Sequence, residues 1–122
     1  MKRSIFKFVV AHPVDVQGHE LPRVRVDNFL VEGEDLQAAF ARIADYEGIV
    51  DATEIFGIET SHVLLTPSAS LRREEPLNQW EHWSGMARRG ELDTQWQLLA
   101  EGPETFRQRL DRQFAERNPQ FA

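Results

Sequence analysis

The chain contains no cysteine among its 122 residues, which removes disulfides, thiol nucleophiles and thiolate metal sites together. Small secreted domains commonly depend on disulfides, so their lack favours a reducing compartment and predicts a cytoplasmic protein. No apolar run approaches the ~20 residues of a membrane span, and no membrane association is expected. The stretch Met1 to Val10 has a basic start and an apolar run, but Lys7 interrupts it and His12-Pro13 follow without a small-residue cleavage site. It reads as a strand rather than a leader. Lysine is also scarce: only Lys2 and Lys7 stand among 14 basic residues. The rest are arginine, the better fork for carboxylate or phosphate, although a coding bias toward arginine gives the same count.

A positive balance is missing too. The formal net charge of −6 argues against non-specific nucleic-acid binding, which needs clustered cations to displace phosphate counterions, so no direct nucleic-acid contact is expected. There is no glycine-rich phosphate loop, because Gly33, Gly48 and Gly57 each have an adequate structural role. No serine occupies a nucleophile elbow: Ser84-Gly85 lacks the pattern, and Ser68 and Ser70 fall in loop-like sequence. His12, His19, His62 and His82 have no histidine partner at metal-ligand spacing. Glu20, Asp51, Glu54 and Glu59 could pair across a sheet, but twenty acids make accidental pairs common. The residues therefore assign no catalytic group, no metal and no cofactor.

What is present is globular material. At 41% hydrophobic and 28% charged, the chain is long enough for one domain with a real core and too short for two. Residues 4–11 are rich in Val, Ile and Phe and predict a buried strand that Pro13 ends. Gly18 and Pro22 suit a hairpin connection over 14–22. Arg23 to Asp27 then alternates polar and apolar, placing Arg23, Arg25 and Asp27 on one exposed face, with an Arg–Asp pair there, and Val24 and Val26 on the other. Leu36, Ala39, Phe40 and Ile43 form a helical stripe introduced by Gly33-Glu34-Asp35 and stopped at Gly48. Residues 51–65 return to strand character, as one bent strand or a hairpin, with Gly57 as a bulge.

Residues 66–79 read as loop, with Arg72-Arg73-Glu74-Glu75 as solvated surface. A short helix weakened by Gly85 is expected over 77–89. Residues 91–99 fit either period and lean toward strand. The last helix starts at Gly102-Pro103-Glu104 with proline in first position, turns Phe106, Leu110 and Phe114 inward, and stops at Asn118-Pro119. This order predicts a single α+β domain over 1–122: a mostly antiparallel sheet of three to five strands, with two or three helices packed on one face.

One stretch is harder to assign to fold alone. Gln79 to Met86 concentrates Trp80, His82 and Trp83 between Arg72-Arg73 and Arg88-Arg89, and on a helix the two indoles share a side. Tryptophan and arginine are enriched in binding hot spots, so Arg72, Arg73, Trp80, His82, Trp83, Arg88 and Arg89 form the candidate partner-binding set. The competing reading is that both indoles cap the core. Three classes of function stay open. The first is a non-catalytic module that binds another protein, of adaptor, inhibitor or immunity type. One version is a phage or mobile-element accessory protein whose acidic surface approaches a basic nucleic-acid-handling enzyme. The second is a small enzyme or ligand-binding domain with a pocket lined by Trp80, Trp83, His62 and His82. The third is a homodimer or other homo-oligomer built through a sheet edge or the tryptophan face.

Overall fold

Strand alternation at 4–11 and 23–27 becomes the centre of a sheet in the computed structural model, which describes residues 3–14, 21–45, 49, 52–60 and 72–117. Strand β1 (Ser4–Pro13) pairs antiparallel with β2 (Arg23–Gly33), so that Val10 faces Asp27 and His12 faces Arg25. β2 runs past its predicted end because Phe29 and Val31, opposite Phe8 and Phe6, continue one apolar face. Helix α1 (Leu36–Ile43) is capped by Asp35, whose carboxylate accepts the Ala38 backbone N–H at 2.7 Å. The helix ends at Ile43 with Ala44 as its C-cap, short of the stop predicted at Gly48, which itself lies outside the described residues.

Strand β3 (Glu54–Thr60) pairs antiparallel with the other side of β1. The predicted bulge at Gly57 is corrected, since the β1–β3 register passes through it unbroken. Its glycine answers to crowding instead: a Cβ there would lie 2.8 Å from Leu99 Cδ1 and 3.0 Å from Cδ1 of both Leu36 and Phe8. The register shift falls between Ile55 and Phe56, where β3 meets the fifth strand. The strand character expected at 61–65 lies outside the described residues.

Residues 73–76, expected as loop, form strand β4 (Arg73–Pro76), a short edge paired with Arg23–Val26. Local polarity hid it. Helix α2 (Leu77–Arg89) forms where predicted, and Gly85 does not interrupt it. Gly90 ends it in the left-handed conformation, φ 69°, which a Cβ would strain. Strand β5 (Gln97–Glu101) occupies only the end of the ambiguous 91–99 stretch. Helix α3 (Phe106–Arg117) begins later than Pro103. The Thr105 hydroxyl accepts the Gln108 N–H at 3.0 Å, and the Gln108 side chain accepts the Thr105 N–H at 2.8 Å. This reciprocal box overrides the proline signal. Asn118-Pro119 lies outside the described residues.

The five strands are ordered β4-β2-β1-β3-β5 with every pairing antiparallel, which is the α+β class the sequence predicts. Residues directly opposite across such a ladder share a face. One face therefore carries Phe8, Val10, Ile55, His12, Arg25 and Asp27; the other carries Val9, Ala11, Val24, Val26, Glu54 and Phe56. Ala39 and Ile43 of α1 pack on the first. Leu77, Trp80 and Ala87 of α2, with Phe106 of α3, pack on the second. Two helices thus share one face, and α1 covers the other to make three layers. Among the described residues, no helix is long and apolar enough to cross a membrane.

Candidate functional site

Among the described residues the sheet buries Asp27 on one face and Glu54 and Glu75 on the other, and polar groups gather most densely round Asp27 and Glu54. On the α2/α3 face, Glu54 at the start of β3 accepts the Trp80 indole N–H at 3.3 Å through Oε1. Its Oε2 accepts from Arg88 Nη2 at 3.0 Å. Arg88 in turn reaches Glu101 on β5 at 2.9 Å, with its guanidinium carbon 5.9 Å from the Phe56 ring centre. Helix α2 is thereby tied to two strands.

Beside this tie, Trp83 lies 5.3 Å from the centres of Phe56 and Trp80 and 5.4 Å from Trp96, with edge contacts to Phe56 and Trp96. These rings pack together on the α2/α3 face of the sheet, and Glu54, Arg88 and Glu101 line a cleft of about 240 Å³ beside them. Trp80 is 1% exposed, so its place in the candidate binding set is corrected: its hydrophobic area and its N–H are both committed to the core. The remaining members do not form one surface. Arg72 stands on the α1 face beside Asp27, whereas Arg73 pairs with Glu75 at 3.4 Å on the opposite face. Arg88 is held by Glu54 and Glu101, and Arg89 by Glu91 at 2.8 Å. His82 is exposed on α2, and Trp83 is half-buried. His62 and His19 lie outside the described residues.

On the α1 face, Asp27 is buried rather than lying on an exposed strand face as expected. Arg72 Nε donates to its Oδ1 at 2.9 Å, Arg25 Nε stands 3.6 Å from its Oδ2, and His12 Nε2 stands 3.1 Å from the same oxygen. The histidine contact has the distance of an ion pair without hydrogen-bond alignment, and neither imidazole nitrogen finds an aligned partner among the described residues. Burial pushes His12 below its ordinary value of 6.5, the Arg25 charge pushes it further, and Asp27 opposes both. A neutral imidazole beside a carboxylate is half of a general-base arrangement. At 3% exposure, however, His12 is sealed from substrate, and its polar surroundings describe a structural pair. Among the described residues, no three His, Asp or Glu side chains are placed to hold a metal ion.

A third feature is apolar and open. Leu21, just before β2, is 77% exposed. With Pro22, Pro76, Leu77, Asn78 and Arg107 it lines a crevice of about 240 Å³. Pro22 and Leu77 also border the adjoining cleft, which reaches Val14, Phe106 and Leu110. The stripe of α3 was expected to turn wholly inward. It does so at Phe106, with Leu110 partly packed on the core, but not at Phe114, which is 57% exposed.

Sequence reasoning expected an Arg–Asp pair on the Arg25–Asp27 face of β2 and allowed a cross-sheet partner for Glu54, but missed His12 and Arg72 beside Asp27, the Trp80 and Arg88 partners of Glu54, and Leu21 altogether. The parity of Arg23, Arg25 and Asp27 was readable. Their alignment with His12 needed the hairpin register, which depends on a turn whose geometry the residues do not specify. Comparison with protein-family models, curated proteins and solved structures gives no match to this chain.

Proposed function

We propose that this chain is a non-catalytic protein-binding domain of adaptor, inhibitor or immunity type, and that its binding face is the crevice at Leu21. The supporting observation is the exposure of Leu21 beside a floor made by Leu77 and walls made by Pro22 and Pro76. An isolated exposed leucine is unremarkable, but one beside an apolar recess resembles the anchor-and-pocket pattern of binding hot spots. The partner in this reading is a protein that offers an apolar side chain to Leu77 and receives Leu21 in return. Arg107, held to Glu81 at the rim, supplies polar definition. The tryptophan segment serves this face indirectly, since its helix carries Leu77 at its first position and Trp80 anchors that helix to the sheet.

The test is a photo-crosslinking residue placed at Leu21, with Glu32 on the exposed part of β2 as the control position. Labelling of one discrete protein from Leu21 alone is expected. The purified partner should then bind the Leu21→Asp variant roughly tenfold more weakly than wild type, or about 1.4 kcal/mol. Equal labelling at both positions, or unchanged affinity, removes the face from consideration. Labelling only between copies of this chain assigns it to self-association and replaces the adaptor reading.

A further inference from the structure

Arginines on this chain are generally matched by acids of their own. Arg23 has Glu74 at 3.2 Å, Arg89 has Glu91 at 2.8 Å, and Arg107 has Glu81. Arg88 and Arg112 each lie between two carboxylates. Asp27 breaks the pattern, because Arg25 and Arg72 share it. Among the described residues, two guanidinium charges against one carboxylate leave one positive charge, and the neutral His12 beside them adds nothing to offset it. Widening the circle to Arg23 and the cross-strand Glu74, which neutralise each other, leaves the sum unchanged. In a chain of formal net charge −6, this is a local excess of the opposite sign.

The hydrogen-bonding account is also open. Arg25 Nε is buried yet has no aligned acceptor among the described residues, and 3.6 Å from Asp27 is too long to count as one. Arg72 engages Asp27 through Nε, and its side chain is 64% exposed. A guanidinium held through Nε keeps both terminal amino groups for another acceptor. Arg25 lies against the other oxygen of the same carboxylate at 3.6 Å, so the two guanidinium groups are neighbours. Their rigid planar forks match the oxygens of a carboxylate or a phosphate group better than flexible ammonium groups would.

We infer that Arg25 and Arg72, held by Asp27 on the α1 face of the sheet, form a binding site for one oxyanion, the phosphate or carboxylate group of a ligand. The anion restores neutrality and accepts from the terminal amino groups of both arginines. Asp27 positions the arginines and does not touch the anion, which it would repel. The site is separate from the Leu21 crevice, so the two readings stand or fall independently.

The experiment follows the arginine Nε–H signals of the ¹⁵N-labelled protein during titration with sodium phosphate and, separately, sodium acetate. Sodium chloride holds the ionic strength constant, because unspecific screening would otherwise imitate binding. Saturable shifts at Arg25 and Arg72 are expected, with Arg107 and Arg112 moving no more than in chloride alone. Arg72→Gln should weaken the anion roughly tenfold by removing one charged fork. Arg72→Lys, which keeps the charge, should fall between the two and guards against a folding defect in the glutamine variant. Saturation by phosphate alone assigns the site to phosphate-bearing ligands, and saturation by both admits carboxylates. Absence of saturation with either anion overturns the inference. So do equal shifts at Arg107 and Arg112, or an affinity that Arg72→Gln leaves unchanged.

Discussion

Glu54 and Asp27 are both buried carboxylates, on opposite faces of one sheet, yet the charge left over around each differs in sign: one arginine lies between two acids at Glu54, and two arginines lie against one acid at Asp27. Glu54 takes an indole N–H and one arginine, and that arginine finds a second acid in Glu101. Aromatic rings pack round its Trp80 partner and close the core beneath, while the network runs outward through Arg88 to the exposed Glu101, beside a cleft of about 240 Å³ that Glu54, Arg88 and Glu101 line. Asp27 takes two arginines and a histidine, and among the described residues no second acid pairs with either arginine, since Glu74 opposite Arg25 is held by Arg23. Burial alone therefore does not mark a buried acid as structural or functional. What separates the two is whether their partners are satisfied once the acid is counted, since an unmatched charge or donor in low dielectric carries a penalty.

The largest expected effect lies on the Glu54 side. Trp80→Ala removes a fully buried indole that touches Phe56 and Trp83 and leaves Glu54 with Arg88 alone. Large aromatic truncations of this kind cost about 3–5 kcal/mol, and urea unfolding should register that loss. A cost near that of an exposed substitution would mean that Trp80 does not anchor α2. The next effect compares the acids directly. In Glu54→Gln the amide oxygen still accepts from Trp80, and Arg88 keeps Glu101, so about 1 kcal/mol is expected. In Asp27→Asn, Arg25 and Arg72 lose their shared countercharge. Removing one partner of a buried pair costs several kcal/mol, which the water-reachable arginines reduce to about 2 kcal/mol. The ranking is the prediction: equal losses in the two variants would dissolve the distinction between the faces.

The apolar layers on both faces of the sheet were legible in the sequence, and the Asp27 cluster was not. Apolar alternation at Val24 and Val26 and the stripe Leu36, Ala39, Phe40, Ile43 are local patterns, and they survived folding because burial on one face is what creates them. Trp80 was visible as unusual, although its residue type could not distinguish a core anchor from a hot spot. β4 was illegible for a physical reason. Arg73-Glu74-Glu75-Pro76 has neither apolar alternation nor β-branched residues, and it is a strand only because β2 offers it an edge. The Asp27 cluster was illegible because its members come from β1, β2 and the residue before β4, brought together by register. Charge excess is a property of the folded neighbourhood, invisible in a chain whose total charge has the other sign.

The smallest expected effect concerns pH, and it too separates the two sides, because among the described residues no histidine pairs with Glu54, Arg88 or Glu101. Burial first, then the Arg25 charge, holds folded His12 below its ordinary value of 6.5, with Arg72 adding slightly and Asp27 working the other way. No other described charged group contributes to that shift from β1, β2 or the residue before β4. In the unfolded chain the imidazole binds its proton near 6.5, so below that pH the unfolded state binds more protons than the folded one. The contribution of neutral His12 is thus fully present above about pH 6.5 and is lost as pH falls toward the lower folded value. Carboxylates elsewhere begin to titrate toward pH 5, so the wild type alone cannot isolate the term. Urea midpoints for wild type and His12→Gln, compared at pH 7.5 and 5.5, can. The wild type should lose more stability over that interval than the variant, which has no proton to take up at this position. A larger loss in His12→Gln would show that Asp27 outweighs burial and that His12 is charged in the folded protein. That result would change the charge count on which the contrast between the two faces depends, turning an excess of one positive charge into two.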